Sequence, residues 1–595
     1  MIPPSHTLRD FGSVPTDKGV RFSIWAPTAE QVCVVVAGQE HALTANADGF
    51  HSAVVPDARP GDLYVYRIDG LDMPDPASRF QPSGVPGPSC VVDPHSYRWK
   101  NEHPTLPWER AIIWEAHVGT ATSEGTFAAL SSRLSELASF GITAIQLMPV
   151  AETPGARTWG YDGVLPFAPN SAYGAPDDLK ALVDHAHELG LIVLLDVVFN
   201  HFGPSENYLG TYAKPFFTDR HQTPWGAAID WRTDPARRFF IENAVYWLTE
   251  YRFDGLRLDA VHQILDDSDD HFLDELARYI RSRIPDRAIH LVLENEANES
   301  RRLERAPDGS PRTYTAQWDD DIHNAWHALL TGESDGYYSD FADAQVAKLG
   351  RALAEGFVYQ GDVSAHLGRA RGEPSAHLPP QAFVSFLQNH DQIGNRALGE
   401  RLCQIVAPER LAVARAALFL SPQIPMIFMG EEWGASSPFQ YFVDFPHDQN
   451  LQTAIREGRR REFTSFTAFM DQDIPDPNAE ETFIRSRIDW DERVHEPHRS
   501  VHDETRALIA LRQAHIVPLL LSGYDGAELV FPDSDSIDLV WRFKDGDLRF
   551  IANFGTSGIV VPEPDSGKTL WRTGPPPSSG ALLPWSCIVL TSLHA

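Results

Sequence analysis

The hydrophobic rhythm of the chain changes twice. Up to about residue 95, apolar and polar positions alternate. Val20, Phe22 and Ile24 interleave with Arg21 and Ser23, which is the period of a half-buried strand. Residues 32–36 and 64–68 are further short β-runs. The turn signals Asp48-Gly49 and Arg59-Pro60-Gly61-Asp62 punctuate this region. The pattern predicts a sandwich of about seven short strands, then a Pro- and Gly-rich connection over 81–94.

From about 105 the rhythm becomes β–α–β. Apolar runs at 111–118, 142–148 and 191–199 read as buried strands. Between them Phe127, Leu130, Leu134 and Leu137, then Leu179, Leu182, Val183, Ala186 and Leu189, recur at helical spacing. Gly141 and Gly190 end these helices, and Asp177 and Asp178 sit at the favourable N-terminus of the second. Further runs at 255–260, 290–293, 313–317, 382–388 and 425–429 complete eight strands, which suits a (β/α)8 barrel. The intervals 150–190 and 200–254 read as long loops and small helices at its mouth. The most apolar stretch, 411–429, is interrupted by Arg415, Pro422, Gln423 and Pro425, so it reads as a helix followed by a strand rather than a membrane span. Beyond 515 alternation returns at Ile537, Leu539, Trp541 and at Leu548, Phe550, Ala552. The expected architecture is multidomain α/β: an N-terminal β-sandwich (1–95), a central (β/α)8 TIM barrel (105–512) and a C-terminal antiparallel β-domain (515–595).

Composition narrows the partners. Among 595 residues, Asp plus Glu outnumber Lys plus Arg by 82 to 50, a formal charge of −32. That field repels phosphate and anionic membranes, and Arg459-Arg460-Arg461 reads as a solvated face. A neutral or cationic substrate is expected, with no nucleic acid, no membrane and no cofactor. Cys33, Cys90, Cys403 and Cys587 are scattered, and Met1-Ile2-Pro3-Pro4 carries no secretory pattern, so a cytoplasmic setting is expected.

The chemistry lies where the strands end. The run 191–199 contains Asp196 and leads into Asn200-His201. Arg257 and Asp259 share one face of the next strand, with His262 beyond. Leu291-Val292-Leu293 stops at Glu294, and Phe386-Leu387-Gln388 runs into Asn389-His390-Asp391. In a closed barrel these ends meet around one pocket. Three acids with His201, His262 and His390 raise the alternative of a metal site. However, no paired-His spacing such as HExxH occurs, and Arg257 would stand beside any cation. Glycosidic hydrolysis uses the same groups more directly, with one ionised carboxylate as nucleophile and one protonated carboxyl as acid. Arg257 would keep Asp259 ionised, while Asp259 and Asp391 favour a proton on Glu294. Tyr161 could stack on a sugar and Asp162 accept a hydroxyl. Trp159, Trp225, Trp231, Trp318 and Asp320 are rim or plus-side candidates.

These segments resemble the α-amylase superfamily, glycoside hydrolase family 13. The resemblance rests on Asp196-Val-Val-Phe-Asn-His201, Gly255-Leu-Arg-Leu-Asp-Ala-Val-His262, Glu294 and Phe386-Leu-Gln-Asn-His-Asp391, in that order. It implies Asp259 as nucleophile, Glu294 as general acid/base and Asp391 as transition-state stabiliser. Tyr161, Asp162, His201, Arg257, His262 and His390 would then form the wall around the cleaved sugar. A narrower resemblance to the maltooligosyltrehalose trehalohydrolases is carried by Ile113-Trp-Glu-Ala-His-Val-Gly-Thr120, Thr158-Trp-Gly-Tyr-Asp-Gly163, Ala316-Gln-Trp-Asp-Asp-Asp-Ile-His323 and Phe428-Met-Gly-Glu-Glu-Trp-Gly434. It implies cleavage of the α-1,4 bond beside a terminal trehalose unit, and functional coupling to an enzyme that makes that end. Glu294-Asn-Glu-Ala-Asn-Glu299 and His323-Asn324 depart from the family pattern. A glycogen branching or debranching enzyme is the rival reading. A non-catalytic glucan binder would have lost one of the three acids, yet all are present.

Overall fold

The computed structural model describes residues 10–464, 474–531, 533–560, 567–574 and 581–594; Met1 to Pro4, scanned above for a signal, lie outside them. Eight parallel strands close the central barrel. They are β1 (Ile113–Ala116), β2 (Ala144–Leu147), β3 (Ile192–Val197), β4 (Gly255–Leu258), β5 (His290–Leu293), β6 (Ala316–Trp318), β7 (Phe383–Ser385) and β8 (Ile424–Phe428), with β8 pairing back onto β1. Each grows from one of the eight apolar runs.

The strands are apolar on both faces, yet they keep a strict two-residue sense. Ile113, Ala144, Leu194, Val292, Ala316, Val384 and Met426 form one buried cluster inside the barrel. Their neighbours Trp114, Ile145, Val193, Leu256 and Leu291 join the larger core shared with the surrounding helices. Two positions beyond the inner cluster, the same face turns polar with Glu115, Gln146, Asp196 and Glu294, and Arg257 follows Gly255 in the same way. The catalytic end is therefore the next storey of the inner face.

The mouth insertions are more regular than expected. The interval 200–254 holds a two-stranded ribbon (Phe217–Thr223 with Gly226–Ile229) and the 17-residue helix Asp234–Glu250. Phe239, Phe240, Ala244 and Trp247 of that helix are all buried. With apolar contacts on several sides, it lacks the single stripe that marks a surface helix. The apolar stretch 411–429 contains helix Pro408–Leu420 and then β8. No helix among the described residues is long and apolar enough to cross a membrane.

The front domain is a sandwich of two antiparallel sheets with nine strands among the described residues, against about seven expected. Thr44–Ala45, Leu71–Met73 and Ser89–Cys90 are edge strands too short to show a period. The domain docks on helix Asp234–Glu250: Phe11 meets Phe239 edge-on at 5.2 Å, and Arg238 pairs with Asp10. At the other end, a five-stranded antiparallel sheet packs against helix Gln345–Glu355, where Trp541 Nε1 donates to Leu353 O at 3.1 Å.

Candidate active site

One buried guanidinium organises the barrel mouth. Arg257 Nη1 donates to Asp196 Oδ2 at 2.6 Å and to Asp259 Oδ1 at 3.0 Å, and Nη2 forms an ion pair with Glu294 Oε2 at 2.7 Å. Its flat face lies 4.0 Å from the centre of the Trp318 ring. A single cation thus joins three strand ends, β3, β4 and β5. If all three carboxyls were ionised the cluster would be a net dianion. Burial pushes Asp196 up to about 7, with Asp259 adding and Arg257 opposing.

Each acid has a further fixed partner. Asn200 Nδ2 donates to Asp259 Oδ2 at 2.9 Å and to its backbone oxygen at 2.8 Å. Glu294 Oε2 accepts the Ala260 N–H at 2.8 Å, made possible by the left-handed turn at Ala260 (φ 38°). Asp391 lies in the first turn of the short helix His390–Gly394, whose cap, Asn389, accepts the Asp391 N–H at 2.8 Å. Burial, with Glu294 adding, raises the Asp391 carboxyl above its usual value although His390 pulls it down.

The proposed wall residues surround this centre. Tyr161 donates its hydroxyl to Asp196 Oδ2 at 2.7 Å and stacks on His390 at 5.2 Å. Asp162 accepts from Thr158 Oγ1 at 3.1 Å, and burial pushes it up to about 6. His201 lies 3.1 Å from the Tyr161 carbonyl, touches Asn200, and is held neutral because burial lowers it to about 4. Trp225, 41% exposed, stacks on His201 at 4.5 Å and offers an aromatic rim.

Glu294 and Asp391 line an open cleft of about 270 Å³ together with His262, Glu296, Asp320, Asn324, Tyr337 and Arg371. Asp320 is raised well above its usual value, first by burial and then by the nearby Glu294 charge. Two rim candidates are corrected: Trp231 and Trp318 are 3% and 0% exposed. Trp231 is stacked on Phe272 at 4.1 Å and Trp318 underlies Arg257, so neither presents a face to a sugar. Trp159 is 5% exposed and stacks on Phe439 at 5.3 Å, which makes it a buttress behind the site.

Sequence reasoning gave no role to Glu115, Asn200, Tyr337 or Arg371. For Asn200 and Glu115 a signal existed: each is a polar residue at the upper end of an apolar strand run. Tyr337 and Arg371 come from insertions with no readable register. At the opposite end of the barrel, His103, His187 and Asp254 form the one group among the described residues that could hold a cation. Asp254 lies 2.9 Å from His187 Nε2 and 3.3 Å from His103 Nδ1, with Arg287 3.7 Å away. Hydrogen bonding accounts for that trio.

Family models match along the chain. Residues 10–96 match Carbohydrate-binding module 48 (Isoamylase N-terminal domain), 94–225 match Alpha amylase, catalytic domain, and 526–589 match a Domain of unknown function (DUF3459). The chain is 42% identical to malto-oligosyltrehalose trehalohydrolase of Deinococcus radiodurans, over 86% of this chain and 85% of that one. It is 40% identical to malto-oligosyltrehalose trehalohydrolase of Saccharolobus solfataricus, over 81% and 83%. A crystal structure described as an alpha amylase from Salmonella typhimurium superposes with a TM-score of 0.94 at 46% identity, covering 98% of this chain and 99% of that one.

Proposed function

Because the chain belongs to the malto-oligosyltrehalose trehalohydrolase family, we propose that its barrel-mouth cleft hydrolyses the α-1,4-glucosidic bond beside the trehalose end of maltooligosyltrehalose. The substrate is an α-glucan, and the released product is trehalose. The observation that carries the mechanism is the Arg257 guanidinium touching both Asp259 and Glu294. Two carboxyls sharing one guanidinium favour the short spacing of a retaining pair, about 5–5.5 Å, over the ~6.5–9.5 Å of an inverting one.

In this mechanism Glu294 gives its proton to the glycosidic oxygen while an Asp259 oxygen attacks C1. The C1–O bond breaks, and the trehalose end leaves from the side lined by Asp320 and Asn324. Water, deprotonated by Glu294, then displaces Asp259 and restores the α-configuration. Arg257 and Asn200 hold Asp259 in its attacking pose. Asp391 and His390 bind ring hydroxyls, and His201, Tyr161 and Asp162 complete the sugar wall, with His262 towards the leaving group.

The working units are 1–95, 105–512 and 515–595, the front module shaping the cleft. An enzyme that builds the trehalose end supplies the substrate. The setting is the cytoplasm, where four thiols, two of them buried, stay reduced. The deciding experiment compares maltooligosyltrehalose, linear maltooligosaccharide and glycogen as substrates and follows the new anomer by NMR. Selective release of trehalose with a first-formed α-anomer is expected, and Asp259→Ala should abolish turnover while the protein stays folded. A β-anomer, new α-1,6 branches or an active Asp259→Ala would overturn this reading.

A further inference from the structure

A further fully buried acid stands at the catalytic end, beyond the acids described above. Glu115 is the inward residue two positions beyond Ile113 in β1 and is 0% exposed. Both of its oxygens face one residue: Oε1 lies 2.6 Å from His390 Nδ1, and Oε2 accepts the His390 backbone N–H at 3.2 Å. The other ring nitrogen, Nε2, is 3.4 Å from Asp391 Oδ2. The ring itself is clamped, with Tyr161 stacked on it at 5.2 Å and Trp159 edge-on at 5.5 Å. The three side chains form a line from the barrel interior to the cleft.

Proton counting gives that line a direction. A neutral imidazole has one N–H and can donate to one of its two carboxylates; the imidazolium donates to both. A carboxylate as buried as Glu115 is costly unless a hydrogen-bonded charge faces it. We propose that Glu115 is a positioning residue for the hydrolysis, holding His390 as a doubly donating imidazolium whose Nε2–H orients Asp391 towards the bound sugar. This rests on the reading of Asp391 as the stabilising carboxylate.

The groups facing His390 are Glu115 from β1, Asp391 from its own helix, Arg257 from β4, Tyr161 from the loop after β2, and His117 just past β1. Burial lowers the affinity of His390 for its proton, and Arg257 adds to that. Asp391 and Glu115 outweigh both and hold it at about 9. His117, lowered to about 4 by burial, stays neutral beside it. The folded value lies above the ordinary ~6.5, so the charge is complete below that value and is lost as pH rises through about 9.

The test is a ¹⁵N titration of the His390 ring in the intact protein, assigned by the signal lost in His390→Asn. At about pH 8, above an ordinary imidazole's ~6.5, the wild-type ring should still be protonated. In Glu115→Gln it should titrate at least about one unit lower, with kcat down roughly 10-fold, KM within about 2-fold, and the alkaline limb of kcat displaced alongside. Adding Glu115→Gln to His390→Asn should cost nothing further, because both act through one ring. A neutral wild-type ring at that pH, an unmoved profile in Glu115→Gln, or additive losses would each overturn the assignment. Should Glu115→Gln not fold, the wild-type titration decides alone. Absence of wild-type turnover of maltooligosyltrehalose would sink the functional reading, while the ring titration would still judge Glu115.

Discussion

At the scale of single residues, the site depends on one planar cation. Arg257 is 0% exposed and reaches Asp196, Asp259 and Glu294 from a guanidinium resting on Trp318. A lysine has the charge but neither the fork nor the flat face. Arg257→Lys should therefore keep one ion pair and release the others. The expected loss in kcat/KM is about 10²–10³, the range typical of removing one preorganised electrostatic contact. Kinetics on maltooligosyltrehalose, with unfolding measured beside it, checks this, and activity within a few-fold of wild type would contradict the shared-fork account. The acids and Arg257 were legible because each is a polar residue ending an apolar run. What could not be read was the partner across the barrel: Glu115 and His390 are 275 residues apart, on β1 and just past β7, and only closure of the barrel through β8 brings them together. The tryptophans failed for a related reason. Position after a strand says that Trp318 is near the mouth, but only the packed structure shows it lying beneath Arg257.

At the scale of elements, all eight barrel strands were visible as apolar runs, while the insertions between them were not. A strand buried on both faces announces itself by composition; helix Asp234–Glu250, buried on several sides, shows no stripe to count. The helices near the cleft are tied by ion pairs that the sequence also concealed. Glu333, just after helix Asp320–Thr331, accepts from Arg396 at 2.9 Å and 3.1 Å and lies 2.8 Å from His327. His327, then Arg396, holds the Glu333 carboxyl down at about 2. A depressed carboxylate stabilises the fold above its unfolded value of about 4.3, and that contribution is lost as pH falls through the folded value. Thermal unfolding of wild type and Glu333→Gln should accordingly differ at about pH 6 and converge towards pH 2. A constant difference across that range would assign the effect to shape instead of charge.

At the scale of the whole molecule, the front sandwich is attached through a charge buried against the barrel. The Arg79 guanidinium sits between the rings of Phe167 at 4.4 Å and Tyr246 at 4.3 Å, with Nη2 3.8 Å from Glu242 Oε1. Glu242 is 3% exposed and accepts the Asp10 N–H at 3.0 Å, so chain from the front domain contacts it twice. Burial pushes Glu242 up to about 7 even with Arg79 opposing, which means that an unpaired Glu242 can escape its cost by taking a proton. Arg79→Ala should therefore destabilise by about 3 kcal/mol, the lower end of the ~3–5 kcal/mol range for breaking a buried pair. Arg79→Met, which keeps much of the apolar contact with the two rings, separates charge from packing. If the pair matters, both variants lose stability, more so above about pH 7 where Glu242 must ionise, and protease reaches the 95–105 connection sooner. Turnover per folded molecule should stay at the wild-type level, since no atom of the Arg257 cluster is touched. An Arg79→Met protein as stable as wild type at high pH would show that the rings alone hold the domains together.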